Sequence, residues 1–303
     1  MSSTAVCLGE AMAQVTPADG ERLEHSRELR LAVAGAESTV AQYLADLGHE
    51  AAWVSRVGND PFGRRIVAAV ASRGVDVGGV LRDLEAPTGV YFKDPDPDGT
   101  RVHYYRAGSA ASRMTAADAD RVDLSGVQLL HLTGITPALS DGCAELVDAL
   151  MTRAAVVGTL VSFDVNYRPT LWSSREVAAE ALLRLARRAD LVLVGRDEAE
   201  TLWGTATAED VRAHLRLSRG TLVVKDGDVG ATEFTGADAE FVDAPAVEVV
   251  EAVGAGDAFA AGYLSGMLRG APARWRLALG HRLAERTLRS IEDYVPADFT
   301  EAN

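Results

Sequence analysis

The chain of 303 residues has two cysteines, Cys7 and Cys143, no run of Lys or Arg, and 6% aromatic residues. Two thiols in apolar surroundings give no disulfide framework and no metal-ligand spacing, so both are expected as buried, reduced side chains. The formal net charge of −14, with no clustered cations, excludes a nucleic-acid groove and an anionic membrane face, because both depend on concentrated positive charge. An anionic ligand would have to be held by a few placed arginines. No apolar run approaches the roughly 18 residues of a membrane span. The N-terminal segment, with Glu10, Asp19, Glu21 and Glu24, lacks the pattern of a signal peptide. The expected compartment is the cytoplasm. The remaining composition, 48% hydrophobic and 24% charged, is ordinary globular material, enough for one large core and an appendage.

Short apolar runs alternate with amphipathic stretches. Residues 4–9, 51–58, 127–134, 159–166, 189–195 and 220–227 read as strands, several of them apolar on both faces. Helical spacing occupies 38–48, 62–73, 141–154, 174–188 and 257–269. Continuously apolar strands separated by helices predict a parallel sheet covered on both sides. Ligands of such sheets gather beyond the carboxyl ends of the strands. Two regions break the rhythm, residues 11–33 and 87–107, the second with strand alternation around Pro-Asp-Pro-Asp-Gly turn chemistry. Together they predict a small projecting sheet; the alternative is an edge extension of the main sheet.

Residues 250–263 read VEAVGAGDAFAAGY. The run VEVV before position 251 is expected as a strand, and the stretch after 257 as a helix. Gly254-Ala255-Gly256 then lies at a helix N-terminus, where backbone N–H groups lack intrahelical partners and the helix dipole is positive. Small side chains let an anion come close to those groups. An acid in the first turn could merely complement the dipole, but that would not explain the bare turn before it. A carboxylate beside an anion hole suits proton abstraction from a hydroxyl that attacks phosphorus. A dinucleotide fingerprint is disfavoured, because the turn is far from the first strand and lacks the G-x-G-x-x-G order.

VGAGDAFAAG, with GAESTVAQYLADLG (35–48) and VSRVGNDPFG (54–63), closely resembles the ribokinase-like family of carbohydrate kinases over essentially the whole chain. YYRAGSAAS (104–112), LTGITPALS (132–140) and DVNYRPTLW (164–172) resemble the 2-keto-3-deoxygluconate kinases within it. The resemblance implies a three-layer α/β/α sandwich with a mostly parallel central sheet and a small β-sheet lid. Residues 1–10, 34–86 and 108–303 would form the core, and 11–33 with 87–107 the lid. It implies Asp257 as general base and Gly254, Ala255 and Gly256 as the anion hole for phosphoryl transfer from ATP, with Mg2+ and a monovalent cation as cofactors. Gly35, Tyr91, Tyr104, Arg106, Ile135, Arg168 and Asp293 would line the sugar-acid site with Asp257. On the nucleotide side it implies Asn166, Arg168, Gly195, Lys225, Asp226, Gly227, Asp228, Gly230, Gly254, Gly256 and His281. Glu198 would act on the metal through water. Assembly into a homo-oligomer through the lid is the partner expectation, with no nucleic acid and no membrane.

Against the family pattern, Glu251-Ala252 stands where Asp-Thr or Asp-Pro is usual. Gly195 begins what is usually Asn-x-x-Glu, His281 stands at an Asn position, and the final helix, expected across 281–294, is more charged than the small-residue helix of the family. Independently of the resemblance, guanidinium matches a carboxylate with two parallel hydrogen bonds, so Arg106 and Arg168 are candidate clamps for a sugar acid. His103 and His131, without metal-type spacing, are expected to be structural. The alternatives are a kinase of another sugar, of the fructose or ribose type, and a catalytically weak sugar-acid sensor.

Overall fold

A computed structural model describes residues 4–96, 99–217 and 219–296. Its strands are Ala5–Leu8 (β1), Met12–Pro17 (β2), Leu29–Ala34 (β3), Ala51–Gly58 (β4), Val80–Asp83 (β5), Val90–Asp94 (β6), Arg101–Tyr105 (β7), Leu129–Thr133 (β8), Leu160–Asp164 (β9), Leu191–Gly195 (β10), Thr221–Asp226 (β11), Gly230–Thr235 (β12) and Asp238–Asp243 (β13). The helices are Ala36–Asp46 (α1), Pro61–Ala71 (α2), Asp141–Val157 (α3), Arg175–Ala186 (α4), Arg196–Trp203 (α5), Ala208–Leu215 (α6), Ala255–Leu268 (α7) and Ala273–Leu288 (α8).

Nine strands form the main sheet in the order β13-β12-β11-β10-β9-β8-β1-β4-β5. From β11 to β5 every neighbouring pair is parallel, while β11, β12 and β13 are joined as antiparallel hairpins. β8 shows why the apolar runs were legible as strands. Its Leu130 and Leu132 join Leu146 and Leu150 of α3 on one face. Its Leu129 joins Tyr43 and Leu44 of α1 and Tyr263 of α7 on the other. Alternate residues enter opposite cores, so a doubly covered strand is buried throughout and mostly apolar. Local chemistry starts the helices: Asp60 accepts from the Gly63 N–H ahead of Pro61, and Ser140 and Ser174 cap α3 and α4.

β1 lies between β4 and β8, where the chain reverses its direction of travel across the sheet. Crevices open at such switch points, beyond the carboxyl ends of the strands. Strands β3-β2-β6-β7 form a separate four-stranded sheet, drawn from the two regions that broke the rhythm. It is not an extension of the main sheet's edge.

Two expectations need correction. Residues 247–250 are not a strand: they are largely exposed, Pro245 lacks an N–H, and the Val250 N–H donates to the Leu288 carbonyl. β-branched residues favour a strand only where a neighbouring strand is available to pair. The final helix, expected across 281–294, ends at Leu288. There the Glu292 N–H turns to the Ser290 hydroxyl, a side-chain bond that competes with helix continuation. Both cysteines are buried and free, as expected. His131 is buried against Ser162, and burial pushes its pKa down to about 4. Among the described residues no helix is long and apolar enough to cross a membrane.

Candidate active site

Gly254 caps α7 in a left-handed conformation, with φ 87°. A Cβ there would lie 2.3 Å from the Asp293 carbonyl oxygen. Both facts demand glycine. At Gly256 a Cβ would meet nothing nearer than Lys225 Nζ at 3.7 Å. The 254–256 turn is therefore closed on one side by the chain after α8 and open toward Lys225. The Ala255 N–H turns back to the Ala252 carbonyl at 3.3 Å, while those of Gly256 and Asp257, at the start of a 14-residue helix, lack intrahelical partners and make a ready site for an anion.

Asp257 sits in the first turn of α7, partly buried. The Asn166 side-chain amide donates to its Oδ1 at 3.3 Å, from a residue held at φ 40° just past β9. Burial pushes the Asp257 carboxyl up to about 6; Asp164 and Asp293 act in the same direction, while Arg168 and Lys225 oppose it. Asp164, at the end of β9, accepts from Lys225 Nζ at 2.8 Å and from the Asn166 N–H at 3.2 Å. Burial alone would lower the Lys225 pKa, but Asp164 and Glu198 more than offset it and hold the ammonium above its usual value. Glu198 of α5 accepts the Tyr167 and Gly195 N–H groups, one on each oxygen, both at 2.8 Å. Its own pKa is raised by burial against the pull of Lys225. Arg168 Nη1 lies 4.0 Å from Glu198, with 42% of the side chain exposed to the crevice.

On the small-sheet side, the Tyr91 hydroxyl donates to Asp293 Oδ2 at 2.7 Å and Lys93 Nζ to Asp293 Oδ1 at 2.6 Å. Tyr104 packs on Tyr91 with ring centres 5.6 Å apart, and the Arg106 guanidinium lies over the Tyr104 ring. Arg106 is not a free clamp. It is buried and pairs through Nε and Nη2 with Glu10, whose other oxygen accepts the Ser109 hydroxyl. The Glu10 carbonyl in turn crowds Gly35, where a Cβ would meet it at 2.5 Å. Ile135 follows β8, buried, its N–H donating to the Thr133 hydroxyl. That hydroxyl and the one on Thr136 donate to Oε1 of Glu37, a fully buried acid at the start of α1 whose Oε2 has no partner. Burial pushes the Glu37 carboxyl up to about 7, and Asp257 adds to the rise.

The remaining expected residues lie beyond β11. Asp226 is tied to Arg196 at 2.6 Å. Gly227, with φ 50°, and the exposed Asp228 form the tip of the β11–β12 hairpin. Gly230, at φ 154°, passes tightly under the Val242 carbonyl. His281 of α8 is buried, with Nε2 3.1 Å from that same carbonyl and its ring edge-on to Phe259. A groove of about 570 Å³ beside α6, lined by Glu209, Arg212, Arg216 and Phe234 among others, contains none of these residues.

The carboxyl ends of β1, β8, β9, β10 and β11 thus bring Glu10, Thr133, Asp164, Gly195 and Lys225 to one crevice, with α7 pointing its N-terminus into it. Sequence reasoning singled out Asp257 and Lys225 but missed Glu10, Glu37, Lys93 and Asp164. A signal existed for two of them: Asp164 precedes Asn166 at a strand end, and Lys93 shares the alternation of Tyr91. Chemically, the crevice offers an anion-binding turn, a carboxyl poised to take a proton, and cations on either side. Among the described residues no group of three or more His, Cys, Asp or Glu is arranged to hold a metal ion. Glu198, with one N–H on each carboxylate oxygen, retains lone pairs that could accept from water around a divalent ion.

The chain matches the family described as "pfkB family carbohydrate kinase" over residues 2–298. It is 38% identical to a 2-dehydro-3-deoxygluconokinase of Bacillus subtilis, covering 89% of this chain and 85% of that one. It is 34% identical to a 2-dehydro-3-deoxygalactonokinase of Haloferax volcanii, covering 92% and 89%. A crystal structure of a PfkB protein from a Polaromonas species superposes with a TM-score of 0.88 at 36% identity, over 96% of this chain and 97% of that one. The ribokinase-like architecture expected from the sequence, with its smaller second sheet, is thereby shown. Matched by that family over residues 2–298 and by sugar kinases along most of its length, the chain belongs to the pfkB family and is a sugar kinase.

Proposed function

We propose that this kinase phosphorylates 2-keto-3-deoxygluconate or its galactonate epimer, giving the 6-phosphate, with ATP as donor and magnesium as cofactor. The observation that carries the reading is Asp257, a partly buried carboxyl directly behind a turn that requires glycine at position 254. Ionised, it takes the proton of the sugar's primary hydroxyl. That oxygen bonds to the γ-phosphorus as the bond from phosphorus to the β–γ bridging oxygen breaks, and ADP leaves. The N–H groups of Gly254 and Gly256 would face the transferring oxygens, where charge spreads in the transition state; that of Ala255 is turned to the Ala252 carbonyl, so Ala255 serves the anion hole by its small side chain. Lys225 balances that charge from the open side of the turn.

Magnesium, when bound, neutralises charge on the β- and γ-phosphate oxygens, and Glu198 would hold it through water. Asn166, Gly195 and residues 225–230 border the nucleotide, with His281 behind them; a monovalent cation is the further expected cofactor. Gly35, Tyr91, Tyr104, Ile135, Arg168 and Asp293 surround the sugar acid. Arg168, exposed to the crevice, is better placed than Arg106 to meet the carboxylate, because Arg106 already serves Glu10. The small sheet closes over the sugar and excludes water, the competing nucleophile.

The names of the two relatives support a sugar acid over a neutral sugar and leave the epimer open. A coupled assay for ADP release, run with both 3-deoxy-2-keto sugar acids, fructose and ribose, tests the reading. Turnover is expected with the acids. Preference for fructose or ribose would overturn the substrate assignment. Tight sugar-acid binding without turnover on any nucleotide would make the chain a sensor.

A further inference from the structure

Of the 30 Lys and Arg residues only two are lysines, Lys93 and Lys225. Both reach the same turn. Lys225 lies against Gly256 from the nucleotide side. Lys93 comes from β6 of the small sheet, its side chain 2% exposed, and no step of the proposed reaction uses it. A buried ammonium is costly unless its partners are well placed, so what it holds is informative.

Lys93 holds two carboxylates. The first is Asp293, which Lys93 and Tyr91 engage on separate oxygens, and whose backbone carbonyl fills the space beside Gly254. The second is Glu251, 3.6 Å from Nζ. Its other oxygen accepts the N–H groups of Ala252 and Val253, the two residues that lead into the turn. One side chain of the small sheet is thus tied to the segment before the turn and to the carbonyl that walls it. Removal of the ammonium would leave Glu251 and Asp293 as unbalanced like charges flanking the place where a phosphoryl group must sit. A compact ammonium with three donors can serve both carboxylates at once.

We propose that Lys93 is a positioning residue for phosphoryl transfer, a built-in cation that sets the 251–256 backbone and couples the small sheet to it. The proposal rests on the kinase reading above, and its test separates the two. Lys93→Met and Lys93→Ala are compared with the wild-type chain using ATP and 2-keto-3-deoxygluconate. Lys93→Met should lower kcat about ten- to a hundredfold, the usual cost of a displaced reacting geometry, while KM for ATP stays within about threefold. Lys93→Ala should regain at least about fivefold in kcat with added ethylammonium, which restores the missing charge, and nothing with tetramethylammonium at equal ionic strength. In hydrogen exchange, Lys93→Met should speed the amides of residues 251–257 and leave those of β8 to β11 unchanged.

Retention of wild-type kcat in Lys93→Met would overturn the proposal. So would a loss that ethylammonium does not relieve, or exchange that quickens throughout the chain, since either marks a merely structural lysine. If the wild-type chain shows no turnover, the kinase reading fails on its own. The exchange experiment then decides alone: faster amides confined to 251–257 support the coupling, and unchanged amides overturn it.

Discussion

Asp257, partly buried, and Glu37, fully buried, are two acids that feel each other, and each carries a different pH signature. A base must be ionised to act, so kcat/KM is expected to rise with unit slope as pH increases through about 6, the value to which burial pushes Asp257, and to level off above it. A pH–rate profile checks this; a limb near the ordinary carboxylate value of about 4 would contradict it. Glu37 acts on stability instead. Its folded pKa of about 7 lies above the unfolded 4.5, so the native state binds the extra proton and stability falls as pH rises through that window. The loss is about 3 kcal/mol if complete. Denaturant melts at pH 5 and pH 8 should show this fall in the wild type and not in Glu37→Gln. Asp257 was legible because its evidence is local, three small residues and an acid at a strand-to-helix join. Glu10, Glu37 and Lys93 were not, because a buried charge is explained only by its partners. Those partners, Arg106, Thr133 and Asp293, lie far along the chain.

The central strands were readable because burial on both faces leaves them mostly apolar, with few polar residues such as His131 and Ser162 to interrupt them. β12 and β13 were not, since GATEFT and DAEFVD mix turn formers and acids, and their pairing comes from the hairpin rather than from composition. The same composition misled at 247–250, where valines face solvent because no strand pairs with them. The decisive element is α7 with its cap. Gly254→Ala would force an L-residue to φ 87° and press Cβ against a backbone carbonyl at 2.3 Å. It is expected to cost about 1–3 kcal/mol of stability and to lower kcat by displacing the turn. Gly256→Ala meets neither obstacle and should melt like the wild type. Urea titrations of the two variants check the contrast, and equal stabilities would remove the geometric reason for the glycine at 254.

At the scale of the molecule, the acidic chain places its charges by pairing. Arg106 shows what that does to a sequence-based expectation: a residue that looked like a substrate clamp is the buried partner of Glu10. Arg106→Ala should destabilise the fold by about 3–5 kcal/mol, because it strands a buried carboxylate. Adding Glu10→Gln should recover part of that loss, which a double-mutant cycle by chemical denaturation would measure. Unchanged stability in the single variant would free Arg106 for the ligand role again. The fold was legible as a whole, since alternating strands and helices admit few topologies. The site was legible as far as its local motifs reach. What would join those motifs is the proposed phosphoryl transfer at the α7 N-terminus, and single-turnover kinetics of Asp257→Asn with ATP and 2-keto-3-deoxygluconate tests it most directly. A fall of at least about a hundredfold in the chemical step, with sugar-acid affinity and melting temperature held near wild type, is the predicted result. Near-wild-type turnover by the folded variant would contradict the assignment of Asp257 as the base.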